Sequence, residues 1–92
     1  MALVLSLKSG DDVFIGGQCF SVGKIDTEND FSLIGPGGKI HRITDAESEE
    51  VMAEVYISAG SNPPIGTVRV AIEAPKDVLI LRGERGRPAG AY

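Results

Sequence analysis

Val68-Arg69-Val70-Ala71-Ile72-Glu73-Ala74-Pro75-Lys76-Asp77-Val78 decides the fold class. Val68, Val70 and Ile72 share one face, while Arg69, Ala71 and Glu73 share the other, the two-residue period of a half-buried strand. Pro75 cannot donate to a ladder and pre-sets a turn, so Ala74-Pro75-Lys76-Asp77 ends the strand. Val78-Leu79-Ile80-Leu81-Arg82 resumes as a further strand. Two strands joined by a short proline turn make this end of the chain β.

The other end carries the same pattern. Leu3, Leu5 and Leu7 alternate with Ala2, Val4 and Ser6, and Ser9-Gly10-Asp11-Asp12 is a turn. Val13-Phe14-Ile15 is a short apolar strand. Gly16-Gly17 follows, and a two-glycine connection signals a hairpin because both residues accept positive φ. Cys19 to Ile25 returns, with Phe20 and Val22 on one face. Core strands are therefore expected over 2–25 and 67–82 of one domain spanning 1–92.

The middle, 26–66, reads as an insertion. Phe31-Ser32-Leu33-Ile34 and Lys39 to Thr44 flank Gly35-Pro36-Gly37-Gly38 as a hairpin. Thr44 and Glu47 fit a capping box, and acids at 45, 47, 49 and 50 suit the positive end of a helix dipole. Val51, Met52, Val55, Tyr56 and Ala59 fall on one helical face, which predicts a helix over about 45–58, ended by Gly60. Beyond Arg82, residues 83–92 have no apolar period and are rich in Gly and Pro, which predicts a flexible tail.

Charge is unevenly spread. The net charge is −4, yet 26–66 holds eight acids and two bases while the flanks hold seven bases and five acids. Nucleic-acid contact normally needs a basic face, so it falls to the flanks. The single cysteine, Cys19, excludes an intramolecular disulfide framework and suits a reducing, cytoplasmic setting. No apolar run approaches the roughly 20 residues of a membrane helix, and the short apolar start lacks the pattern of a signal peptide. A chain this small is marginal as a lone monomer, and association is a common remedy.

Two stretches resemble the CsrA/RsmA family of carbon storage regulators. One is Leu3-Val4-Leu5-Ser6-Leu7-Lys8-Ser9-Gly10-Asp11 with Val13-Phe14-Ile15-Gly16; the other is Val68 to Val78, with its Ala-Pro-Lys-acid-Val turn. With Cys19–Ile25 the resemblance covers about half the chain. It implies a mainly β, intertwined β-barrel homodimer of five short strands per subunit, in which first and last strands pair with those of the other subunit. It further implies binding of GGA-containing single-stranded or hairpin-loop mRNA, control of translation or message stability, a bacterial or phage source, and no cofactor.

Carried over residue by residue, the family's critical arginine on the last strand matches Arg82. Thr-Arg-Arg on the first strand becomes Ser6, Leu7 and Lys8, and the histidine before the critical arginine becomes Leu81. The acid after it becomes Gly83, and the family's C-terminal helix gives way to the glycine-rich tail. The resemblance also implies main-chain recognition along the last strand and its turn, which involves Val78, Ile80 and Leu81, and it adds Leu5 of the first strand as a further site candidate. Arg85 and Arg87 of the tail are further candidates for gripping RNA. A different class of function stands beside this one: a CsrA-like protein-interaction module without RNA binding, such as a phage-encoded modulator whose acidic insertion meets a basic partner.

Other chemistry finds little footing. His41 is the only histidine, without identifiable triad partners, and is expected exposed on a strand. Cys19 is expected to be packed rather than nucleophilic. Asp26-x-Glu28-x-Asp30 opens like a calcium loop, but Phe31 and Gly37 stand where such a loop needs glycine and glutamate. Gly35 to Lys39 lacks the spacing of a phosphate-binding loop. No catalytic pair emerges, and a non-enzymatic role is expected.

Overall fold

The structure, a computed structural model, describes residues 2–84 and 87–88, with side chains for 3–82. It contains ten strands: β1 (Ala2–Leu7), β2 (Asp12–Ile15), β3 (Gln18–Thr27), β4 (Asp30–Ile34), β5 (Ile40–Thr44), β6 (Glu49–Met52), β7 (Val55–Ala59), β8 (Val68–Glu73), β9 (Ile80–Glu84) and β10 (Arg87–Pro88). They form two antiparallel sheets, β1-β8-β7-β6 and β10-β9-β2-β3-β4-β5, rather than a closed barrel.

The local chemistry accounts for most turns. Gly16 and Gly17, at φ 57° and 83°, form the two-residue link between β2 and β3, where Ile15 stands opposite Gln18. Val78 N–H donates to the Pro75 carbonyl at 3.0 Å, closing the turn between β8 and β9. A 3-10 turn at Pro36–Gly38 joins β4 to β5, with Gly35 N–H donating to the Lys39 carbonyl at 2.7 Å. Gly35 is buried, and a Cβ there would lie 3.0 Å from the Phe20 ring.

The predicted helix over 45–58 does not form; β6 and β7 occupy its place. Within β7, Val55, Ile57 and Ala59 are buried and Tyr56 is exposed, a two-residue alternation that overrides the looser 3.6-residue match. β-branched Val51, Val55 and Ile57 favour a pleated surface. The turn between the strands is Ala53-Glu54, with Glu54 in the left-handed region at φ 63° and its N–H held by the Glu50 carboxylate at 3.2 Å. Thr44 ends β5 instead of capping a helix.

One buried cluster lies between the sheets. It comprises fifteen residues, and the insertion supplies Phe31, Leu33, Ile43, Val55, Ile57 and Ala59. Each large apolar side chain so buried contributes about 1.5–3 kcal/mol before chain entropy is subtracted. The insertion is therefore part of the core: β4 and β5 extend one sheet, β6 and β7 the other. The five strands expected from the flanks are present as β1, β2, β3, β8 and β9, and the expected inserted hairpin as β4 and β5; β6, β7 and β10 bring the described strands to ten.

The C-terminal expectation also changes. Gly83 and Glu84 belong to β9, and Arg87–Pro88 pair back onto them as β10, so structure continues past residue 82. The rest of the predicted flexible tail, including Arg85, lies outside the described residues. Among the described residues no helix is long and apolar enough to cross a membrane.

Candidate nucleic-acid interface

The two segments singled out at opposite ends of the sequence meet in space. β1 pairs with β8, and β9 pairs with β2, both within this chain. These are the first- and last-strand pairings that the resemblance places between subunits. Each lies at or near the border of its sheet, and Arg82 bridges the borders: its Nη2 donates to the Ser6 carbonyl at 2.9 Å, across 76 residues of sequence. Arg82 is exposed, opposite Val13 in the β2–β9 ladder. A guanidinium carries five donors in a planar fork, so the Ser6 contact fixes its orientation and leaves further donors for an anion or a base edge.

The neighbouring candidates divide by burial. Ser6 is half-buried, and Lys8 is exposed just beyond β1. The Lys8 N–H donates to the Asp11 carboxylate at 2.9 Å and the Asp11 N–H to the Lys8 carbonyl at 2.9 Å, which shapes the turn that presents Lys8. Leu7, standing where the family has arginine, is fully buried, so this position serves the core. Leu5, Val78 and Ile80 pack partly against the core, leaving their main chains as what they offer a ligand. Leu81 is half-buried opposite Phe14. Arg87 lies in β10 opposite Glu84.

The register adds a residue that sequence reading missed. Arg69 stands opposite Ser6 in the β1–β8 ladder, half-buried, with its Nε donating to the Asn62 carbonyl at 3.2 Å. Its place in the Val68–Glu73 alternation was visible, but its neighbour was not until β1 and β8 were paired. Lys8, Arg69 and Arg82 thus gather around the end of β1, on the weakly basic part of the chain.

His41 and Cys19 settle differently from expectation. His41 is buried, 3% exposed, where an exposed strand residue was expected. Its Nδ1 lies 3.0 Å from Glu49 Oε2, which joins β5 to β6 across the two sheets, and its ring is 6.3 Å from that of Phe20. Cys19 is exposed rather than packed, because it alternates with the inward Phe20. Partial burial and the Asp12 charge push its thiol above the ordinary range, against a hydrogen bond from Ser21. Asp30 is engaged by Arg42, whose Nε and Nη2 donate to its two oxygens at 3.1 and 2.7 Å and hold its carboxyl below the ordinary range. No group of three or more metal-ligating side chains occurs among the described residues.

A scan against protein-family models finds no match, and searches of the curated proteins and of the solved structures find none either.

Proposed function

We propose that this protein is a non-enzymatic RNA-binding regulator that recognises GGA-containing single-stranded or hairpin-loop mRNA and controls translation or message stability from the cytoplasm. The observation that carries this reading is the Arg82–Ser6 contact, which sets an exposed guanidinium against the end of the first strand. A planar fork held in this way suits a guanine edge or a phosphate. Lys8 and Arg69 add positive charge at the same end of β1, and the main chain of Ile80–Arg82 belongs to the strand that brings Arg82 to it. Because the site's parts come from one chain, each copy carries one site, and a homodimer would carry two. A dimer engaging two sites on one message would gain effective concentration and obstruct the ribosome by occupancy.

Arg82→Ala tests it in a salt-titrated gel shift with a GGA-loop RNA and a CCA control. The substitution is expected to weaken the GGA complex by about 1–3 kcal/mol per site and to narrow the gap to the control. Equal affinity of both proteins for both RNAs would remove Arg82 from any reading role.

A second reading is favoured by the exposed acids Asp45, Glu47, Glu50 and Glu54 of the insertion. They would serve a CsrA-like module that meets a basic protein partner without binding RNA. Absence of RNA binding, together with a salt-sensitive complex with a host regulator of the family, would favour it.

A further inference from the structure

The strand registers decide what the outer face of the β1-β8-β7-β6 sheet presents. Glu50 stands opposite Tyr56 in the β6–β7 ladder, and Tyr56 stands opposite Glu73 in the β7–β8 ladder. Residues directly opposite one another share a face, so these three side chains form a row across three strands, and all three are exposed. The two carboxylates start about 5 Å to either side of the tyrosine, one strand spacing each. Two residues further along, Ser58 stands opposite Ala71. Side chains this small leave a depression of about 80 Å³ beside the ring, lined by Ser48, Tyr56, Ser58, Ala71, Ile72 and Glu73.

The negative charge of this row is uncompensated. Among the described residues no hydrogen bond or ion pair holds Glu73 or the Tyr56 hydroxyl. Glu50 spends one oxygen, Oε2, on the Glu54 N–H at 3.2 Å and keeps the other free of the turn. Arg69 is the sheet's one basic residue among its described strands, four positions from Glu73 along β8, about 13 Å away, and its Nε donates to the Asn62 carbonyl. The exposed acids Asp45 and Glu47 lead into Ser48 and extend the same sign beyond the row.

We propose that this face seats an arginine side chain of a basic protein partner. The guanidinium lies flat on the Tyr56 ring, drawn to the negative face of its quadrupole. In that pose its five N–H donors point sideways in the plane of the fork, toward Glu50 on one side and Glu73 on the other. Both carboxylates accept charge-assisted hydrogen bonds, and the apolar stem of the arginine packs over Ser58 and Ala71. A lysine ammonium is a compact, strongly hydrated point charge and cannot span both carboxylates while it stacks on the ring. The chemistry therefore selects arginine. A phosphate is repelled by the same two carboxylates, which separates this face from the Arg82–Ser6 end of β1. The assignment rests on the protein-partner reading and narrows it, from the acids of the insertion at large to one aromatic seat completed by Glu73, which lies outside the insertion.

Titrating the intact chain with a short peptide of alternating Arg and Ala, its Lys counterpart and an all-Ala control, followed by proton–nitrogen correlation spectra, tests it. The expected result is saturable movement of the Tyr56, Ser58 and Glu73 amides by the Arg peptide, with a dissociation constant of about 0.1–1 mM. The Lys peptide is expected to bind at least roughly threefold more weakly. Tyr56→Leu keeps an apolar side chain but removes the π face, and Glu73→Gln keeps the shape but removes the charge. Each is expected to weaken the Arg peptide about three- to tenfold, with the rest of the spectrum unchanged. Equal response to the Arg and Lys peptides, undiminished by Tyr56→Leu, overturns the proposal, since diffuse attraction to the acids would then suffice. So do Tyr56 and Glu73 amides that stay in place, or that move only with a GGA-loop RNA. The protein-partner reading is decided separately: a salt-sensitive complex with the host regulator that both variants leave intact keeps that reading and removes the arginine seat.

Discussion

Replacing Ile57 by alanine, beside a matched replacement of Tyr56, separates two accounts of the insertion. On a helical account Tyr56 belongs to the apolar stripe and Ile57 lies off it. On the observed β7 strand the order is reversed: Ile57 is fully buried, paired with Glu49 on one side and Ile72 on the other, and Tyr56 is 42% exposed opposite Glu73. Truncating a fully buried isoleucine removes its transfer free energy and leaves a cavity, together about 2–5 kcal/mol. A domain of this size has of the order of 5–15 kcal/mol in total, so the loss is a large share of stability. Tyr56→Ala removes contacts on a solvent-facing sheet surface and is expected to cost below about 1 kcal/mol. Urea unfolding followed by circular dichroism reads the difference, with an m-value near 1 kcal/mol/M turning the Ile57 effect into a midpoint shift of about 2 M or more. Unfolding curves in which Tyr56→Ala is the more damaging change, or in which Ile57→Ala falls within about 0.5 kcal/mol of the parent, would refute the strand assignment and the inclusion of the insertion in the core.

Two further outcomes follow from particular contacts. Gly35→Ala places a Cβ 3.0 and 3.3 Å from two Phe20 ring carbons and 3.5 Å from His41 Nε2, so the ring must shift within a packed core. Thermal unfolding is expected to show a loss of about 1–3 kcal/mol, and a parental melting temperature would mean that the Phe20 pocket has slack. Cys19 is expected to react fully with a thiol reagent in the folded protein, but more slowly at neutral pH than an unhindered thiol, because its raised pKa leaves less thiolate. Labelling only after denaturant is added would contradict its exposed position.

Most of the flanking fold was legible because its signals are local. The alternation of Leu3 to Leu7 and of Val68 to Ile72, the Gly16-Gly17 link and Pro75 each specify a strand or a turn within a few residues. The β4–β5 hairpin followed from Gly35 to Gly38 in the same way. The β6–β7 hairpin was hidden because its turn, Ala53-Glu54, has neither glycine nor proline and depends on Glu54 adopting a left-handed backbone. The acids before it imitate a helix start, whereas Glu49 is used by His41 on the neighbouring sheet. Burial of His41 was illegible for the same reason: its partner sits on a strand that the periodicity did not reveal. Cys19 was legible in principle, since it lies off the Phe20–Val22 face, but its residue type argued for packing. Of the candidate site, Arg82, Ser6 and Lys8 came from the resemblance. Arg69 had to wait for the register, because no local pattern says which residue will stand across from Ser6.

The Arg82–Ser6 contact has a kinetic consequence. Contacts of long sequence separation form late, after the loops between them have been closed, and this one spans 76 residues. As the chain is synthesised, β1 emerges well before its ladder partner β8, which is completed more than sixty residues later. Through that interval an uncharged six-residue strand waits with both edges bare, the condition in which nascent chains stick to one another. Folding yield should therefore fall with rising chain concentration during refolding, while the joining of Arg82 to Ser6 marks the moment at which the molecule is finished.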